Sequence, residues 1–189
     1  AVSKNRSAEQ IQPLLQTNHR IFGENKVQEA IDKWVDLKKQ YPDIQLHLIG
    51  ALQSNKVKKA LQIFDVIQTI DRHSLIDEII KYPELIENKS FFIQVNTGSE
   101  PQKSGVLISE FDALLAYCQQ KNLPISGLMC IPPKDANATH HFTILQSLAR
   151  KNGHLKISAG MSADYAKAII VGTDYVRIGS KIFEPKSFN

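Results

Sequence analysis

No apolar run in the 189 residues approaches the roughly 18 that a membrane-spanning helix needs. Cysteine is nearly absent. Cys118 and Cys130 form no CxxC or Cys/His pattern, which leaves no zinc or redox motif, and both read as buried thiols. Charge of one sign is also lacking. Lys plus Arg number 23 against 19 Asp plus Glu, and a surplus of +4 does not announce a nucleic-acid protein. No low-complexity tract, charge block or Pro/Gly-rich linker divides the chain, so it reads as one domain. With 42% hydrophobic and 22% charged residues it has the composition of a folded globule, not of a disordered chain. No signal peptide is visible, and a reducing cytoplasm is the expected compartment.

Apolar runs of strand length recur along the whole chain: Ala1 to Ser3, Arg20 to Phe22, Gln45 to Ile49, Val66 to Ile70, Phe91 to Val95, Ile125 to Met129, His154 to Ser158 and Asp174 to Ile178. Between them the apolar spacing lengthens to the helical period, as in Val27, Ile31, Trp34 and Leu37, or Phe111, Leu114, Leu115 and Cys118. Ser7 with Gln10 forms a capping box; Ser74 and Ser109 are further candidate caps, and Pro13 is expected to split the first helix. Regular β/α alternation implies a parallel sheet with right-handed crossovers. Eight units favour a single-domain (β/α)8 TIM barrel, a small one at about 24 residues per unit, with an open doubly wound sheet as the alternative.

In such a barrel chemistry gathers at the C-terminal ends of the strands. Lys4 ends the first. It reads either as a solvated strand-end lysine or as a desolvated amine with a lowered pKa, suited to Schiff-base chemistry. Gly160-Met161-Ser162 follows the seventh strand and leads toward a helix, with Ser162 as its hydroxyl cap. Gly179-Ser180 follows the eighth. These are the places where barrels hold a phosphate, though an ordinary cap and an ordinary loop would look the same. Arg177, inside the apolar run Val176-Arg177-Ile178, needs partners if its side chain points inward. Lysine, phosphate cup and arginine together suit pyridoxal 5′-phosphate, whose sites pair a Schiff-base lysine with an Asp or Arg at the pyridine nitrogen.

The stretches Ala1-Val2-Ser3-Lys4, Phe22-Gly23-Glu24-Asn25, Ile49 to Lys56, Gly127 to Pro133, Gly160 to Asp164 and Val176 to Ser180 resemble, in order, the motifs of the pyridoxal phosphate homeostasis proteins. The resemblance implies a single barrel like the N-terminal domain of alanine racemase. It implies Lys4 as the Schiff-base residue, Ser162 with the Gly179 and Ser180 backbone as the phosphate cup, and Arg177 at the pyridine nitrogen. Asn25 and Asn55 lie in motifs near the pocket. Two departures stand out: Glu184 occupies a position where that family usually has glycine, and Ala159 replaces a bulkier residue. The family's barrel is usually preceded by a helix and half a strand, so a longer protein, with an N-terminal helix missing here, is expected.

Racemisation needs a second acid or base on the opposite face of the substrate. In the two-domain racemases a tyrosine from the second domain supplies it, and this chain ends at Asn189. Tyr165, in a helix, and Tyr175, at a strand start, are poor substitutes. The expectation is therefore a monomeric, cytoplasmic carrier of pyridoxal 5′-phosphate with little or no catalysis, whose clients are pyridoxal-phosphate-dependent apoenzymes, with an amino-acid racemase as the alternative. A nucleic-acid binder, suggested by pI ≈ 9.0 and Lys56-Val57-Lys58-Lys59, lacks an aromatic platform. Adjacent His140 and His141 do not share a helix face as a metal pair would, and Trp34 reads as core.

Overall fold

Short strands with one face against helices bury that face only when the sheet is covered all round, and this chain meets the demand by curling its sheet on itself. The computed structural model describes residues 1–100, 102–134 and 137–184; Asn189 lies outside them. Its helices are α1 (Ala8–Gln16), α2 (Val27–Gln40), α3 (Val57–Ile63), α4 (His73–Ile79), α5 (Pro83–Ile86), α6 (Phe111–Gln120), α7 (Ala138–Lys151), α8 (Tyr165–Val171) and α9 (Ser180–Phe183). The strands are β1 (Ile21–Glu24), β2 (Gln45–Leu48), β3 (Val66–Ile70), β4 (Ser90–Asn96), β5 (Val106–Leu107), β6 (Ile125–Met129), β7 (Lys156–Met161) and β8 (Tyr175–Arg177). All pairings are parallel, in the order β1-β2-β3-β4-β6-β7-β8. None of the described helices is long and apolar enough to cross a membrane.

The ring closes through the first residues of the chain. The Val2 amide donates to the Ile178 carbonyl (2.7 Å), the Ser3 amide to Gly23 (3.0 Å) and the Gly23 amide to Ala1 (2.8 Å). Residues 1–3 are thus the stave between β8 and β1, present as a single β-bridge and not a full strand. The expected barrel is therefore present, with its eight apolar runs as staves. β5 was not foreseen: two residues pair only with the end of β4, a spur beside the barrel and not one of its staves.

Register is set at the strand starts by a repeated device. Asp65, just before β3, accepts the Leu46 amide of β2 (2.7 Å), and Asp174, just before β8, accepts the Ile157 amide of β7 (2.7 Å). Outside the ring the strands' outer faces and the helices share one apolar core, where Trp34 of α2 lies against Phe22 of β1 with ring centroids 4.7 Å apart. Both cysteines are free and buried.

Some local expectations fail for identifiable reasons. α1 runs unbroken through Pro13, because only the amide that would reach the Glu9 carbonyl is lost and the Ser7–Gln10 capping box with buried Ile11 and Leu15 holds either side. Ser74 and Ser109 cap nothing. α4 is entered from Arg72 without a side-chain cap, and a 3-10 turn, Ile108–Glu110, runs straight into α6.

Inside the ring Gly127 makes room for Phe92: a Cβ at Gly127 would lie 2.4 Å from that ring. Gly127→Ala should cost about 1–3 kcal/mol by overpacking. Urea unfolding should show a lower midpoint at unchanged m-value; an unchanged midpoint would mean that Phe92 moves aside freely.

Candidate functional site

Strand ends carry the loops, so the mouth of the ring collects what the strands cannot bury. There a cavity of about 690 Å³ opens, lined among others by Lys4, Asn25, Ser162, Arg177, Gly179 and Ser180. Those expected site residues come together; Asn55 does not. It sits exposed on the 3-10 turn Ser54–Lys56 that leads into α3, outside the cavity wall.

Lys4 is exposed, one residue past buried Ser3 and before Asn5, whose φ of +57° turns the chain away from the ring. Its side chain is open to solvent at the edge of the cavity. Asn25 stands beside it at the end of β1, and its Oδ1 is buried without a hydrogen-bond partner. Gly50 lets the Asn25 backbone approach: a Cβ there would lie 2.2 Å from the Asn25 carbonyl oxygen.

Ser162 is not a helix cap. α8 begins at Tyr165, and Asp164 closes the preceding turn by accepting the Met161 amide on Oδ1 (2.6 Å). The Ser162 hydroxyl is thereby left to face the next loop, where it accepts a long hydrogen bond from the Gly179 amide (3.4 Å). Among the described residues, the amides of Ser162, Ala163 and Ser180 donate to no protein acceptor. The two loops therefore offer neighbouring free N–H groups of the kind that hold an anion.

Arg177 reaches the cavity from beneath. Its guanidinium is buried and, among the described residues, touches no carboxylate; Nη1 donates to Ser158 Oγ (2.9 Å) and Nη2 to the Cys130 carbonyl (2.7 Å). Burial lowers the Arg177 pKa below the usual guanidinium value, and it pushes the Cys130 thiol up to about 12, so that thiol is protonated. A guanidinium has five N–H donors, so those not used for Ser158 and Cys130 remain for a ligand.

Below Arg177 a chain of hydrogen bonds crosses the ring interior to its floor. Ser158 Oγ donates to Gln68 Oε1 (2.7 Å), Gln68 Nε2 meets His47 Nδ1 (2.8 Å), and His47 Nε2 meets Gln45 Oε1 (3.0 Å). With His47 neutral, every link has one donor and one acceptor if the direction is Arg177 to Ser158 to Gln68 to His47 to Gln45. Sequence reasoning singled out none of Ser158, Gln68 and His47. Their signal was there: each is a polar residue within an apolar strand run. Tyr175 closes the floor, its ring 5.4 Å from His47 and 5.9 Å from Phe92, while Tyr165 lies on α8 with the Lys181 ammonium 4.5 Å above its ring. Neither tyrosine lines the mouth cavity. Among the described residues, no group of three or more His, Cys, Asp or Glu could hold a metal.

Residues 1–185 match the family described as alanine racemase, N-terminal domain. The chain is 35% identical over 201 residues to the pyridoxal phosphate homeostasis protein of Vibrio alginolyticus, spanning 100% of this chain and 86% of that protein. Against the pyridoxal phosphate homeostasis protein of Escherichia coli K12 it is 33% identical over 200 residues, with the same coverage. PipY of Synechococcus elongatus superposes without PLP at a TM-score of 0.88 and 34% identity, covering 97% of this chain and 90% of that one. With PLP bound the same protein gives 0.85 and 32% over the same spans. Alanine racemase from Corynebacterium glutamicum, at 16% identity and a TM-score of 0.71, shares the fold alone; it covers 100% of this chain and 57% of that one.

The interior chain has a pH signature. Burial lowers the His47 pKa to about 4. An unfolded imidazole takes its proton near 6.5. Between those values the unfolded state binds more protons, so stability falls as pH drops from about 6.5 to about 4, by about 3 kcal/mol in all. Urea midpoints across this window should show the loss, and His47→Gln should flatten it. An equally steep decline in the variant would assign the effect elsewhere.

Proposed function

Because this chain belongs to the alanine racemase N-terminal domain family, and within it to the pyridoxal phosphate homeostasis proteins, we propose that it binds pyridoxal 5′-phosphate covalently through the Lys4 amine and serves cofactor supply with little or no turnover. The observation that carries this reading is the convergence on one cavity of an accessible amine, two loops with free amides and a buried guanidinium. The residues fit the group. Asn25 Oδ1 is a buried acceptor without a partner, and the Ser162–Ala163 and Ser180 amides form a cradle for a phosphate.

Pyridoxal phosphate supplies an aldehyde that condenses with an amine and a ring that draws electrons from whatever is attached to it. On this chain Lys4 provides the amine, and its exposure leaves it free to be reached. The Ser162 hydroxyl and the loop amides would hold the phosphate. Arg177, held in place by Ser158 and Cys130, would donate to the ring nitrogen. A guanidinium donor there would leave that nitrogen unprotonated and the ring a weaker electron sink than a carboxylate partner would. This favours holding the cofactor over using it. Racemisation would also need a second acid or base across the substrate, and no tyrosine lines the cavity. Action as a monomer in the cytoplasm, with pyridoxal-phosphate-dependent apoenzymes as clients, completes the proposal.

The purified chain should turn yellow with pyridoxal phosphate, and borohydride should fix the pyridoxyl group on Lys4, as read by peptide mass. Lys4→Ala should lose the visible band while keeping the circular dichroism of the barrel. Label on another lysine, or none, overturns the site. Racemisation of amino acids at about 1 per second or faster would replace the carrier reading by the racemase one.

A further inference from the structure

Directly beneath the Lys4 segment lies a buried charge cluster that takes no part in the cavity wall. Glu24, at the end of β1, is completely buried, and the Lys33 side chain on α2 is 8% exposed. Glu24 Oε1 accepts from Ser3 Oγ (2.7 Å), Lys33 Nζ (2.8 Å) and Trp34 Nε1 (2.9 Å). Lys33 Nζ also donates to the Ser3 carbonyl (2.8 Å) and to Glu29 Oε1 (3.2 Å), and that same Glu29 oxygen accepts the Asn5 amide (2.5 Å). With its own amide bonded to Gly23, Ser3 has every polar atom committed, and the residue after Lys4 is held by the same cluster. Lys4 itself is free between two fastened neighbours.

Burying an ion pair is costly, and apolar residues of equal volume often stabilise a core as well or better. Geometry is what apolar residues would not supply here: three donors on one ammonium, each directed at a different anchor of the same short segment. We propose that Lys33 and Glu24 are positioning residues that fix where the Lys4 amine projects into the cavity. This rests on the reading that Lys4 carries the cofactor. In that attachment the Lys4 nitrogen bonds to the aldehyde carbon, and the aldehyde oxygen leaves as water with the two amine protons. No oxidant or reductant is needed, so the rate depends on presentation of the amine, where a misplacement of about 1 Å can cost on the order of a hundredfold.

The test uses Lys33→Met, together with Glu24→Gln/Lys33→Met, which removes both buried charges in case the single variant does not fold. Lys38→Met is the matched control. Lys38 lies on the same helix and also binds one carboxylate (Asp65, 2.7 Å) and one carbonyl (Ile63, 3.1 Å), but beneath β3 and away from Lys4. Hydrogen exchange of the cofactor-free chain over residues 1–6 should accelerate in the Lys33 variants and stay at the wild-type rate in Lys38→Met. Borohydride trapping of pyridoxal phosphate on Lys4 should slow by about tenfold or more in the Lys33 variants alone. Unchanged exchange overturns the inference, as does faster exchange with unchanged trapping, or equal slowing by Lys38→Met, which would mark a loss of stability only. Wild-type protein that traps on another lysine, or on none, overturns the Lys4 reading itself, a failure visible before any variant is made.

Discussion

A positive charge with no carboxylate in contact among the described residues sits inside the ring, and the interior is arranged around it. Arg177 is buried, yet its contacts are a serine hydroxyl and a main-chain carbonyl. A bare guanidinium there would be untenable; neutral acceptors make it tolerable by supplying directed dipoles without cancelling the charge. Ser158 accepts from Arg177 and directs its own hydroxyl hydrogen to Gln68 Oε1, and Gln68 is oriented in turn by His47. The direction of each link is therefore imposed from the mouth downward. An interior that a small barrel would ordinarily fill with branched aliphatics is given over to one line of polar side chains, with Phe92 and Tyr175 filling the space beside it.

Two kinds of charge burial coexist in this molecule and do different work. Around the ring's floor, Asp65 and Asp174 lock neighbouring strands by accepting main-chain amides, and Lys38 closes the Asp65 site from α2. Near the mouth, Glu24 and Lys33 hold the segment on which Lys4 stands. The first set is repeated because register must be kept at more than one strand. The second, among the described residues, holds one segment at the mouth, the one that carries Lys4.

Much of the frame was legible in the residues because burial demands it. Each barrel stave coincides with an apolar run, since a run such as Val66 to Ile70 has few other ways to be buried. The two-residue β5 carries too little pattern to be seen. At the mouth, Lys4, Asn25, Ser162, Arg177, Gly179 and Ser180 were placed together because strand ends in a barrel converge; Asn55 was not, because it lies on a turn that carries it away from the cavity and nearness in a motif is not nearness in space. Ser162 looked like a cap because a serine before a helical pattern usually is one, but the Asp164 turn intervenes. The polar interior was overlooked for a plainer reason: His47, Gln68 and Ser158 are far apart in sequence, and only the curvature of the sheet makes them neighbours.

The segment that joins β8 to β1 also carries Lys4. The Val2 amide donates to the Ile178 carbonyl of the eighth stave and the Ser3 amide to the Gly23 carbonyl of β1, and Lys4 is the next residue. Closing the ring and aiming the Lys4 side chain are therefore one geometric event. A chain with all its helices and the rest of its ladders, but with those two staves apart, would have no mouth for that side chain to face.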